Sequence, residues 1–76
     1  MKGGIMNLYF IIIKSEDNEI LTAYGPYDDI NYATEKVRDL EKYFPGGTQL
    51  IIYGVKIDGK STVIASKKIK NRKGES

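Results

Sequence analysis

The sequence predicts a two-layer α+β domain of order ββαββ, and three observations carry that reading. Two apolar runs, "LYFIIIK" at 8–14 and "QLIIYGVKI" at 49–57, have the β-branched and aromatic composition of strands. Between them lies a segment whose apolar residues recur at spacings of three and four, the mark of a helix with one buried stripe. Turn formers follow each run closely enough to close a hairpin.

The first predicted strand runs from Leu8 to Lys14, with six apolar side chains in succession. The residues "SEDNE" supply the turn, and a second strand is expected from Ile20 to Tyr24. "EDNE" has the composition of a calcium loop but not its alternating ligand spacing, so it reads as a turn. Gly25 and Pro26 are expected to end the hairpin, and Asp28 or Asp29 to cap the helix by accepting its free N–H groups. Ile30, Ala33, Val37, Leu40 and Phe44 draw the inner stripe of that helix, which Pro45, Gly46 and Gly47 stop. The third strand is predicted over Gln49 to Ile57. Asp58-Gly59 favours a tight turn into a fourth strand, Lys60 to Ser66.

A helical crossover between hairpins is expected to set the third strand beside the first and parallel to it, giving the sheet order 2-1-3-4. The competing β-grasp order, 2-1-4-3, would leave the apolar third strand on an edge. Apolarity therefore favours the first arrangement, an antiparallel or mixed four-stranded sheet with one helix packed on one face.

At 76 residues, with 41% hydrophobic and 29% charged side chains, the chain has the composition of one small globular domain. The domain is placed at 6–66, after a disordered extension at 1–5 and before a basic, flexible tail at 67–76. Codons for Lys2, Gly3 and Gly4 can spell a ribosome-binding site ahead of Met6, which reads Met6 as the natural start and points to a prokaryotic or viral gene. The apolar run is too short to span a bilayer and lacks a cleavage site, so no membrane or export segment is expected. Absence of cysteine argues against a bridged secreted scaffold, and a cytoplasmic setting is expected.

Charge is unevenly spread. Through Ser66 there are seven basic and nine acidic residues, a net −2, whereas 67–76 holds five basic residues against Glu75, a net +4. Lys67, Lys68, Lys70, Arg72 and Lys73 are thus the candidate contacts to nucleic acid, through salt-sensitive phosphate neutralisation. The six tyrosines are scattered between strands and helix rather than gathered as a stacking platform.

Nothing points to catalysis. The chain has no histidine, no cysteine and no phosphate-binding glycine loop, and Asp28, Asp29, Glu35 and Asp39 are better explained by capping and solvation. A non-enzymatic protein with no cofactor and no metal site is expected.

The segment "YGPYDDINYATEKVRDLEKYF" resembles small uncharacterised ββαββ proteins of phages and archaeal viruses, in which a hairpin ending in Tyr-Gly-Pro-aromatic leads through an acidic cap into a helix. That resemblance implies an accessory protein of a virus or mobile element that binds, and in some cases inhibits, a host or defence protein. The segment is also similar to the arm-type DNA-binding domains of integrases, which differ in placing three strands before the helix and in having basic reading strands.

One helix covers one sheet face, yet both long strands are apolar on both faces. A homodimer is therefore expected to cover the second face, with a host protein as a further partner. Periodicity leaves open which face the helix takes; Tyr9, Ile11, Ile13 and Tyr53 are the expected partner face. The alternative reading is a nucleic-acid-binding accessory protein that uses the basic tail.

Overall fold

The computed structural model describes residues 7–56 and 59–70. Its elements run β1 (Asn7–Lys14), β2 (Ile20–Tyr27), α1 (Ile30–Leu40), a 3-10 turn (Glu41–Tyr43), β3 (Gln49–Lys56) and β4 (Ser61–Lys68). The strands form one sheet in the order β2-β1-β3-β4, as the apolarity of β1 and β3 requires. The α+β architecture of two layers is thereby borne out.

The direction of β3 is a correction. It pairs with β1 antiparallel, not parallel. The physical reason is the course of the helix: β2 runs against β1, α1 carries the chain back, and β3 then runs in the direction of β2. The crossover thus joins the parallel pair β2 and β3, with β1 between them.

Three boundaries also move. Gly25 and Pro26 do not end β2, because a bulge opposite Phe10 absorbs them and pairing resumes at Tyr9–Tyr27. Gly25 sits at φ 128°, and a Cβ there would lie 2.9 Å from the Tyr9 carbonyl oxygen, so only glycine fits this bulge. The α-helix stops at Leu40, and Phe44 reaches the core from extended backbone after the 3-10 turn.

The third boundary concerns the tail. Lys67 and Lys68 belong to β4, and Ile69 is buried in the core. The Ile69 N–H donates to the Thr48 carbonyl at 2.8 Å, and the Gly47 N–H donates to the Ile69 carbonyl at 2.7 Å, extending the β3–β4 ladder. An apolar side chain flanked by lysines gains more from burial than from a solvated tail. The expectation of a flexible segment beginning at 67 is corrected accordingly; 71–76 and the extension at 1–5 lie outside the described residues.

Side-chain chemistry accounts for the local turns. Asp29 caps α1, its Oδ1 accepting from the Asn31 N–H at 2.8 Å. Ser15 Oγ accepts from the N–H groups of Asp17 and Glu19, and the Gln49 amide donates to the Ser15 carbonyl and to Asn18 Oδ1, tying the first hairpin to β3. Helix α1 packs Ala33, Val37 and Leu40 onto Ile11, Ile13, Leu50 and Ile52. Tyr27 and Tyr32 meet in a tilted arrangement, ring centroids 5.2 Å apart, and hold the start of the helix to β2. Among the described residues no helix is long and apolar enough to cross a membrane.

Candidate functional site

Strand register divides the apolar residues between the two faces of the sheet. Ile11 pairs with Ile52 and Ile13 with Leu50, and these four lie beneath the helix. Phe10 pairs with Tyr53, Leu8 with Val55 and Ile12 with Ile51, so these six stand on the opposite face. Among the described residues no element lies over that second face.

The expected partner face is therefore corrected. Ile11 and Ile13 are both 0% exposed in the core, Tyr9 packs against the same cluster, and Tyr53 alone of the four is on the free side. The antiparallel register causes this, since it aligns odd positions of β1 with even positions of β3. On the free face Ile51 is itself only 7% exposed, enclosed by its neighbours. Around it Phe10, Ile12, Tyr53 and Val55 border a shallow depression of about 320 Å³ that reaches Lys14 and Ile20 at one end.

A second surface lies on the helix side. All of β4 is exposed, and a trough runs between α1 and β4. At one end Ile64 fills in for the helix: a bulge in β4 sets it over Gly54, where its side chain meets the space beside Tyr9. Toward the other end the trough has an aliphatic floor of Val37, Leu50, Ile52 and Ala65 and a volume of about 260 Å³. Arg38, Glu41 and Lys67 are shared with an adjoining depression, which adds Lys42, Lys68 and Lys70. Lys67 Nζ and Glu41 Oε2 form an ion pair at 2.8 Å.

The structure thus brings three of the five candidate nucleic-acid contacts, Lys67, Lys68 and Lys70, beside two cations that the sequence reading did not group with them, Arg38 and Lys42. Their spacing of four in the sequence, which places Lys42 in the 3-10 turn one turn beyond Arg38, was the available signal. Arg72 and Lys73 lie outside the described residues. No aromatic side chain lines the trough or the depression beside it. The acidic residues weighed for catalysis are not gathered into a site: Asp29 is the helix cap, while Asp28, Glu35 and Asp39 are exposed. Among the described residues no group of three or more His, Cys, Asp or Glu is placed to hold a metal ion.

A scan of protein-family models gives no match, and neither curated protein sequences nor solved structures give one.

Proposed function

We propose that this chain is a non-enzymatic, protein-binding accessory protein that pairs with a second copy of itself through the helix-free face of its sheet. The observation that carries the reading is the contiguous apolar surface of Leu8, Phe10, Ile12, Tyr53 and Val55, with nothing among the described residues over it. Four strands about 4.8 Å apart and eight residues long, at about 3.3 Å per residue, present a face of roughly 500 Å². Two such faces amount to roughly 1,000 Å², the size at which specific interfaces begin. Tyrosine at the margin suits a contact that is dry at its centre and wet at its rim.

Lys14 marks one end of this face. Like charges repel, so the copies pack with their lysine ends apart, across a two-fold axis that crosses the strands. The likeness to phage and archaeal-virus proteins supports a host or defence protein as the further partner of the dimer.

Size-exclusion chromatography with light scattering tests the reading. A dimer is expected for the parent and a folded monomer for Ile12→Lys, which places a charge in the centre of the contact without touching the core. A parent that stays monomeric at high concentration overturns the proposal.

A further inference from the structure

We infer that the trough between α1 and β4 is a docking site for an acidic peptide segment of a partner protein, anchored by an aliphatic side chain. The trough faces away from the proposed dimer contact, so the inference stands on separate residues and does not depend on that contact.

Two properties of the trough define its occupant. Its floor of Val37, Leu50, Ile52 and Ala65 is aliphatic, and about 260 Å³ accommodates a branched side chain with room for the backbone that carries it. Its walls are basic. Arg38 and Lys67 line it against the single carboxylate of Glu41, and Lys42, Lys68 and Lys70 line the adjoining depression. That carboxylate is already engaged by Lys67 in an ion pair. Charge complementarity therefore calls for carboxylates flanking an apolar anchor.

The same cations would attract nucleic acid, but two features favour a peptide. Strands of nucleic acid held without duplex structure are gripped by base stacking on aromatic rings, and neither depression has one. A phosphate-binding surface also gains nothing from an aliphatic floor between its cations, whereas a peptide anchor buries against it. The body of the chain carries a net −2 through Ser66, so the basic trough stands out against its surroundings and orients an acidic segment toward this one place.

Fluorescence anisotropy with a labelled peptide of alternating leucine and glutamate tests the inference. The controls are a peptide of alternating serine and glutamate and a labelled oligothymidylate. The parent is expected to bind the Leu/Glu peptide and to bind both controls more weakly. The double variant Arg38→Glu/Lys42→Glu should lose roughly tenfold or more in affinity, and Ala65→Glu should do the same from the floor. Both variants alter exposed positions, and an unchanged thermal midpoint checks their fold. The Ile12→Lys variant should bind the peptide like the parent, which separates this site from the proposed dimer face. Absence of peptide binding, equal binding of the serine control or of the oligothymidylate, or unaltered affinity in folded trough variants overturns the inference. So does a change of oligomeric state in the trough variants, which would make a second copy the occupant.

Discussion

Ile11 and Ile12 are neighbours in the chain with opposite surroundings. Ile11 is 0% exposed beneath the helix, whereas Ile12 stands on the free face opposite Ile51. Replacing Ile11 by Lys buries an unpaired charge and is expected to unfold the domain, seen as loss of the cooperative thermal transition by circular dichroism. The same change at Ile12 should keep that transition, because the new charge reaches water in the monomer. Gly25 is a different kind of sensitive position: Gly25→Ala must bring a Cβ to 2.9 Å from a backbone oxygen at φ 128°. A cost of about 1–3 kcal/mol is expected in denaturant titrations, with the midpoint falling and the slope unchanged.

Among the elements, β4 differs most from its appearance in the sequence. It is exposed along its length, yet Ile69 just beyond it is buried and its backbone bonds to Gly47 and Thr48. Truncation after Lys68 is therefore expected to be sharply less stable than truncation after Lys70, since it removes the buried side chain and both ladder bonds. Ile69→Ala alone should cost about 2–4 kcal/mol by chemical denaturation. Helix α1 depends on its cap in a similar local way. Asp29→Ala removes the acceptor for the Asn31 N–H and should cost about 1 kcal/mol.

For the complete domain, the single core on the helix side is small, and the proposed pairing of free faces would add a second one. Association stabilises the folded state by mass action, so the thermal midpoint of the parent is expected to rise with protein concentration, while that of Ile12→Lys stays constant. A parent midpoint that does not move over a wide concentration range would count against self-pairing. In the proposed dimer the two troughs face outward on opposite sides, which would present two acidic-peptide sites on one particle and raise avidity for a partner with repeated segments.

Residues close in sequence carried much of this architecture. The alternation in "LYFIIIK" and "QLIIYGVKI", the helical spacing from Ile30 to Leu40, the Asp29 cap and the turn of the first hairpin follow from side-chain period and local backbone preference, and the relative apolarity of the strands ranks β1 and β3 as central; the Asp58-Gly59 turn lies partly outside the described residues. Direction and sidedness did not follow. Both faces of β1 are apolar enough to receive a helix, so the selection of Ile11 and Ile13 over Phe10 and Ile12 comes from the path of the crossover. A β2–α1–β3 connection over β1 obeys the right-handed rule on one face only. The partner of Ile69 was hidden for a related reason, because its backbone bonds go to Gly47 and Thr48, residues distant in the chain that only β3–β4 pairing brings near. Likewise Arg38 and Lys42 join Lys67 because the helix ends beside an edge strand, a proximity created by packing across 24 or more intervening residues and therefore absent from any local pattern.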